Sequence, residues 1–288
     1  MTPLPSAPLR FAAAQAAAAP GRVARNARHA AALAARAAAA GAALVVLPEL
    51  HLCGYDLAAL AADGGAEVPA DRAGRVHDER LRPLARLTGE AAVTVVVGAA
   101  VRRPDGRLTN SLVRVADGRC RVVYDKEHLW HGEDGLFTAG ASGADIRVGT
   151  WRVGLGICYD MSFPEHARAA AARGAHLYAA ASAFAAGAEH RAAVYLACRA
   201  LENTVYSAFV NPVGGPAGRP SRGGSAVWAP DGRRLAAAGP DAARLLTADL
   251  DPAVIADTRR TLRMLAEHTA TALPPRRAGR RTPAAPRA

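Results

Sequence analysis

Residues 152–174 read RVGLGICYDMSFPEHARAAAARG, and this stretch decides the fold. The run Val153–Ile157 contains only apolar residues and glycine, so it predicts a strand buried on both faces. Pro164 and Gly174 mark the start and the stop of a helix over Pro164–Arg173. A further apolar run predicts the next strand at His176–Ala180. A strand, a helix and a second strand in succession are typical of an α/β domain.

The same alternation extends in both directions along the chain. Further strands are predicted at Leu9–Gln15, Leu44–Leu47, Ala92–Ala100, Ser111–Ala116, Arg121–Tyr124, Val205–Asn211, Ser225–Ala229, Arg233–Ala237 and Leu245–Leu250. Further helices are predicted at Gly21–Ala40, Arg75–Gly89, Glu189–Glu202 and Ala253–Glu267. Asp117-Gly118 predicts a hairpin turn. The chain is therefore expected to be one α/β domain with mixed sheets over residues 9–273, after a flexible N-terminus at 1–8 and before a disordered Pro/Arg-rich tail at 274–288.

Composition excludes several other classes of protein. Of the 288 residues, 51% are hydrophobic and 21% charged, as in a folded globular protein. No run of 18 strongly apolar residues predicts a transmembrane helix. The four cysteines lie far apart without a CxxC pair, which argues against a disulfide scaffold and a zinc ribbon. The stretch after Arg10 contains Gln15 and lacks a leucine-rich core, so we expect no secretory signal and a cytoplasmic protein.

The net charge is positive, but the sequence lacks the pattern of basic residues that is typical of nucleic-acid-binding proteins. Lysine and arginine number 36 against 25 acids, for a net charge of +11, and five of these charges lie in the last 13 residues. The other arginines form no stripe and alternate with no aromatic residues, so neither nucleic acid nor a membrane is the expected partner. Lysine occurs only at Lys126. The lysine ammonium is a compact charge, whereas the arginine guanidinium is a broad planar fork. The single lysine in this arginine-rich chain is therefore retained either by chance or because a site needs the compact group.

Three side chains of types that act in catalysis each follow a predicted strand. Cys158 lies between a strand and a helix N-terminus, a setting that favours a reactive thiolate, although most free cysteines are inert and buried. Glu49 follows the strand Leu44–Leu47, where α/β sheets place their sites, although a single such acid is more often a loop residue. Lys126 follows Arg121–Tyr124. Together the three form a plausible spatial trio.

Other residues near the trio allow more than one interpretation. Tyr159 and Asp160 are expected to orient the turn after the cysteine, and Phe184 either shapes the pocket or belongs to the core. His128 and His131 form either a metal pair or an ordinary loop beside the site. A catalytic dyad of His128 and Cys158 is disfavoured by the neighbouring glutamate and lysine.

These residues fall into motifs that resemble the carbon–nitrogen hydrolase, or nitrilase, superfamily. The motifs are Leu47-Pro48-Glu49, Tyr124-Asp125-Lys126-Glu127-His128-Leu129 and Gly156-Ile157-Cys158-Tyr159-Asp160. The glutamate, the lysine and the cysteine are separated by 77 and 32 residues, in the order of the family. Weaker matches extend the resemblance over roughly residues 9 to 270.

The resemblance implies a four-layer α-β-β-α sandwich that usually forms homodimers or higher oligomers. It implies that Cys158 is the nucleophile, Glu49 the general base and Lys126 an oxyanion donor beside the backbone N–H of Tyr159. Glu133 would orient Lys126 or the substrate. The substrate would be a small amide, and neither a metal nor an organic cofactor is implied.

The residues around the cysteine indicate which branch of the superfamily the chain resembles. Cys158-Tyr159-Asp160 is similar to amidases and carbamoylases, whereas nitrilases typically carry Cys-Trp-Glu. Parts of the chain resemble omega-amidases and amidases acting on 5-aminopentanamide, but Ser162 stands where omega-amidases commonly have arginine, which weakens the case for a carboxylate-bearing substrate. Three functions remain open: an amidase releasing ammonia, a carbamoylase releasing carbon dioxide as well, and a non-catalytic binding protein.

Overall fold

The computed structural model describes residues 3–62, 64–216 and 218–270. Its strands are β1 Leu9–Gln15, β2 Leu44–Val46, β3 Val68–Pro69, β4 Thr94–Arg102, β5 Leu108–Ala116, β6 Arg119–Asp125, β7 Ala144–Val148, β8 Trp151–Ile157, β9 Leu177–Ala181, β10 Tyr206–Val210, β11 Val213–Gly214, β12 Ser221–Arg222, β13 Ala226–Trp228, β14 Arg234–Ala237 and β15 Arg244–Leu250. Its α-helices are α1 Val23–Ala39, α2 Leu57–Ala62, α3 Arg82–Glu90, α4 Pro164–Ala172, α5 Glu189–Asn203, α6 Pro252–Thr261 and α7 Met264–Ala270.

Two mixed sheets form the centre of the molecule. The first sheet has the order β15-β1-β2-β4-β5-β6, with β3 paired to β4, and the second has the order β14-β13-β10-β9-β8-β7. In the first sheet β1, β2 and β4 are parallel, and in the second β8, β9 and β10 are parallel. A small third sheet pairs β11 with β12.

The helices cover the outer faces of the two sheets. Alanines and leucines of α1 and α3 pack in one apolar cluster with residues of β1, β2 and β4, including Ala12, Val45 and Val95. A second cluster joins the other face of the first sheet, at Phe11 and Val96, to the second sheet and to α4 and α5. The order of layers is therefore helix, sheet, sheet, helix, which confirms the expected four-layer α-β-β-α sandwich.

Most predicted elements are present, and the differences have local causes. The helix predicted at Arg75–Gly89 begins only at Arg82, because Arg75 bridges to Arg121 and Asp78 caps a 3₁₀ turn over Glu79–Leu81. The C-terminal helix is divided at Leu262, which has an extended backbone with ψ of 103°. The sequence did not predict the helix α2 or the strands β3, β7, β11 and β12.

The predicted hairpin turn is present, and the segment before β1 is held by a hydrogen bond. The hairpin Asp117-Gly118 has positive φ at both residues, 52° and 71°, as its tight turn requires. Before β1, the carbonyl of Ala7 accepts a hydrogen bond of 2.8 Å from the Trp151 indole, in the segment we expected to be flexible. The predicted tail at 274–288 lies outside the described residues. No helix in the described part of the chain is long and apolar enough to cross a membrane.

Candidate active site

The two sheets bring the three predicted residues to one edge of the sandwich. Glu49 follows β2 and Lys126 follows β6, and because β5 is antiparallel to both β4 and β6, these strands end at the same edge of the first sheet. Cys158 follows β8 of the second sheet. The backbone N–H of Glu49 donates to the carbonyl of Ser182, which follows β9, so the sheets meet here. The expected trio is therefore a spatial cluster.

A tight turn after β2 places Glu49. The turn lies directly on β4 at Gly98, where an added Cβ would collide with the backbone of Pro48 and Leu50. The Gly98 carbonyl accepts the N–H of Leu52 at 2.9 Å. Leu50 has φ of 50°, a conformation that is costly for a branched residue. A glycine on the neighbouring strand thus lets the turn approach closely enough to hold Glu49 over the sheet edge.

Lys126 is completely buried between two carboxylates. Its Nζ lies 2.7 Å from Oε1 of Glu49 and 2.8 and 2.9 Å from the two oxygens of Glu133, and all three side chains are inaccessible to solvent. An ammonium has three donors. Hydrogen bonds run to one oxygen of each glutamate, and the second oxygen of Glu133 lies 2.8 Å from the same nitrogen.

Both glutamates are held by further donors. Asn110 donates its amide N–H to Oε1 of Glu49 at 2.8 Å. The hydroxyl of Tyr55 donates to Oε1 of Glu133 at 2.6 Å, and the N–H of Trp130 donates to Oε2 at 2.9 Å. The second oxygen of Glu49, Oε2, is buried and has no hydrogen-bond partner among the described residues. Glu49 therefore keeps one oxygen available for proton transfer.

Cys158 lies in a strained turn that a buried aspartate braces. Its φ of 47° is in the left-handed region, which is rare for a residue with a side chain. Asp160 accepts hydrogen bonds of 2.9 Å from the N–H of Ile157, 2.9 Å from the N–H of His128 and 2.7 Å from the hydroxyl of Tyr124. The carboxylate of Asp160 thus ties the cysteine turn to the loop that carries Lys126.

Burial and charge set the protonation states of the trio. Burial raises the pKa of the Cys158 thiol, and Glu49 adds to this while Lys126 opposes it. Burial also raises the pKa of Glu49, against the opposing effect of Lys126. Burial alone would lower the pKa of Lys126, but Glu49 and Glu133 outweigh it and raise the pKa above its ordinary value. These shifts favour a protonated thiol and a charged ammonium in the resting site, and they make the Glu49 carboxylate a stronger base.

A cavity of about 100 Å³ opens beside Cys158. Its walls include Tyr159, which was expected to orient the cysteine turn, and Phe184, for which the sequence left a pocket and a core position open. The ring of Tyr159 meets Trp130 edge-on at a centroid distance of 4.9 Å. The cysteine is therefore accessible to a small molecule from this side.

The alternative roles considered for the histidines do not match their contacts. The ring of His128 bonds Asp160 at 3.0 Å and stacks on Phe163 at 3.7 Å, whereas His131 contacts Trp130. No group of three or more metal-ligating side chains occurs in the described ranges. These contacts place His128 and His131 in the loop beside the site.

Sequence reasoning did not single out Asn110 and Tyr55. Asn110 lies in the run Leu108-Thr109-Asn110-Ser111, three polar residues inside a strand, and all three are buried. A cluster of buried polar residues in a strand is a signal that could have indicated the site. Tyr55 reaches Glu133 across 78 positions of sequence, which no local pattern encodes.

Comparison with known proteins places the chain in a family. The family model described as carbon–nitrogen hydrolase matches residues 10–260. An (R)-stereoselective amidase from Pseudomonas sp. is 36% identical over 212 residues, which cover 72% of this chain and 73% of that protein.

Two solved structures share the fold. The amidase from Nesterenkonia sp. AN1, in a mutant form that carries acrylamide attached by Michael addition at its active-site cysteine, has a TM-score of 0.72 and 27% identity, covering 88% of this chain and 98% of that one. Nit3 of Saccharomyces cerevisiae, from branch 10 of the nitrilase superfamily, has a TM-score of 0.78 and 26% identity, covering 89% and 95%. The chain described here therefore belongs to the carbon–nitrogen hydrolase family and is a hydrolase of carbon–nitrogen bonds.

Proposed function

We propose that the protein is a cysteine-dependent amidase that converts a small linear carboxamide and water into a carboxylate and ammonia. The observation that carries this proposal is the buried Lys126, held at 2.7 Å from Glu49, with the charges of both residues acting on Cys158, which lines the cavity. A nucleophile close to a base and a fixed cation is what acyl transfer requires.

The first step is attack of the cysteine on the amide carbon. The free oxygen of Glu49, Oε2, takes the thiol proton, and a raised pKa makes this carboxylate a better base. The sulfur of Cys158 then forms a bond to the carbonyl carbon, and the carbonyl oxygen becomes an oxyanion.

Two donors are positioned for the oxyanion. One is the Lys126 ammonium, which would turn one N–H from the Glu133 carboxylate towards the oxyanion. The other is the backbone N–H of Tyr159, at the start of the 3₁₀ turn Cys158–Ser162, where the first N–H groups have no partner within the turn. Each such donor contributes on the order of 3–4 kcal/mol to transition-state stabilisation.

The intermediate collapses when the carbon–nitrogen bond breaks. Glu49 returns its proton to the leaving nitrogen, ammonia departs and a thioester to Cys158 remains. Glu49 then takes a proton from water, whose oxygen attacks the thioester carbon, and the second collapse releases the carboxylate and restores the thiol. Protons and electrons balance without an additional cofactor.

A substrate panel tests the proposal. Small primary amides and N-carbamoyl amines are incubated with the enzyme, and both ammonia and carbon dioxide are measured. Ammonia without carbon dioxide is the result expected for an amidase, whereas stoichiometric carbon dioxide would identify a carbamoylase. A cytoplasmic location and a homo-oligomeric state stay predictions, to be measured on the same protein.

The cysteines of this chain provide the matched controls. Cys158→Ala and Cys158→Ser are expected to abolish turnover without unfolding the protein. Cys53→Ala, Cys120→Ala and Cys198→Ala should remain active, because none of these three residues lines the cavity beside Cys158. Turnover by Cys158→Ala would contradict the proposal.

A further inference from the structure

The cavity beside Cys158 has an unbalanced charge. Its walls include the guanidinium groups of Arg191 and Arg219, and none of its lining residues is an acid. Arg191 comes from the first turn of α5, and Arg219 comes from the loop between β11 and β12. Two cations from separate elements therefore meet in a space of about 100 Å³.

Both guanidinium groups rest on aromatic rings instead of on carboxylates. The central carbon of Arg219 lies 4.5 Å from the ring centroid of Tyr55, and that of Arg191 lies 5.9 Å from the ring centroid of Phe184. Among the described residues, neither arginine has a carboxylate within ion-pair distance. Stacking holds a guanidinium in place through its face and leaves the N–H groups at its edge free to donate.

The buried cluster at the other side of the site has the opposite charge. Glu49, Glu133 and Lys126 together carry one net negative charge when both glutamates are ionised. An anionic substrate group is repelled from this cluster and attracted to the arginines. The charges therefore also set the direction in which such a substrate enters, with its amide towards Cys158.

We infer that Arg191 and Arg219 form a subsite for a carboxylate on the acyl part of the substrate, so that the enzyme prefers short amides that end in an anionic group. This inference rests on the proposed amidase function. A planar carboxylate matches the edge of a guanidinium in a two-point hydrogen bond. The aromatic wall formed by Trp130, Phe184 and Tyr195 contacts the chain between the two ends of the substrate.

The subsite revises an expectation from the sequence. Ser162 stands where omega-amidases commonly have arginine, and this weakened the case for a carboxylate-bearing substrate. Ser162 does line the cavity, but Arg191 and Arg219 line it too and supply positive charge from other elements. A substrate with a terminal ammonium, such as 5-aminopentanamide, would instead meet two cations and no acid on these walls.

Three amides of one chain length test the inference: a dicarboxylic acid monoamide, its neutral methyl ester and an amide ending in an ammonium. The measured quantity is the ratio of kcat/KM for the anionic amide to that for the ester, within each protein variant. The wild type should favour the anionic amide at least about tenfold over the ester, and Arg191→Gln and Arg219→Gln should each reduce this ratio about tenfold. Arg28→Gln on α1, which packs on the other sheet, removes the same charge far from the cavity and should keep the ratio.

Added salt should weaken turnover of the anionic amide more than that of the ester. Arg191→Glu should shift the preference towards the ammonium-bearing amide, because it places a negative charge on the same wall.

An unchanged ratio in both glutamine variants, or a wild-type preference for the ester or the ammonium-bearing amide, would overturn the inference while Cys158-dependent hydrolysis still stood. If none of the three amides is hydrolysed but other amides are, the carboxylate subsite is wrong; if no amide at all is hydrolysed, the proposed function itself fails.

Discussion

Replacement of Lys126 by arginine tests whether the site needs a compact ammonium or only a positive charge. The Lys126 side chain has no solvent exposure, and its single nitrogen lies within 2.9 Å of both Glu49 and Glu133. A guanidinium spreads its donors over a rigid planar fork and cannot place one nitrogen between both carboxylates and also at the oxyanion. We therefore expect Lys126→Arg to be almost as inactive as Lys126→Ala.

The magnitude follows from the contacts that are lost. Misplacing one oxyanion donor costs about 2.7–4 kcal/mol, or a factor of about 10² to 10³ in kcat. Extra volume in a fully buried position adds about 1–3 kcal/mol of destabilisation. Lys126→Ala loses the donor too, but it leaves two buried carboxylates without a cation, which costs about 3–5 kcal/mol of stability. The two variants should thus be similarly inactive, with the alanine variant the less stable.

Steady-state kinetics on a good amide substrate, with circular dichroism to verify folding, measures the effect. Arg28→Lys is the matched control, since it exchanges the same two residue types on the exposed face of α1 and should keep wild-type activity. A folded Lys126→Arg variant with more than about a tenth of wild-type kcat/KM, a loss under roughly 1.4 kcal/mol, would refute the reasoning. Lys126 would then supply only charge, and the oxyanion donor would be another group.

Three further predictions concern groups around the site and the chain end. Tyr55→Phe removes the 2.6 Å hydrogen bond to Glu133 and should lower kcat about tenfold with a smaller change in KM, measured by steady-state kinetics; an unchanged kcat would contradict it. Activity should fall as the pH falls through the pKa of Glu49, which burial raises above the ordinary value of 4.5. Because Asn110 stabilises the charged form of Glu49, Asn110→Ala should move this acidic limb of the pH–rate profile upwards, and a downward shift would contradict the assignment. Truncation after Leu273 should leave kinetics and thermal stability unchanged, since the removed tail has no apolar periodicity; a large loss of either would show that the tail docks.

The strands and helices could be predicted because their signals are local, whereas the four-layer arrangement was implied by the resemblance of the motifs to the nitrilase superfamily. Apolar runs such as Val153–Ile157 and stop signals such as Gly174 act within a few residues, and the predicted alternation of strands and helices is observed. The strand β7 was missed although Ala144–Val148 alternates between apolar and polar residues, as a half-buried strand does. The break at Leu262 was not predicted because helical periodicity continues through this residue, whose backbone is extended.

The site was predictable where a residue follows a strand end. Glu49, Lys126 and Cys158 all meet this condition, and the topology brings these ends together. Tyr55 and Arg219 lie in loops, and their roles depend on contacts across long stretches of sequence. In a chain with so many arginines, no local pattern distinguishes Arg191 and Arg219 from the others. Their position in one cavity without an acid is visible only in three dimensions.

Detection of the acyl-enzyme tests the cysteine mechanism most directly. The enzyme is mixed with an amide substrate, quenched with acid during turnover and analysed by mass spectrometry of the intact protein and of its peptides. We expect a mass increase equal to that of the acyl group, located on Cys158, removed by hydroxylamine and absent from Cys158→Ala. An acyl group on another residue, or continued turnover by Cys158→Ala, would contradict Cys158 as the nucleophile.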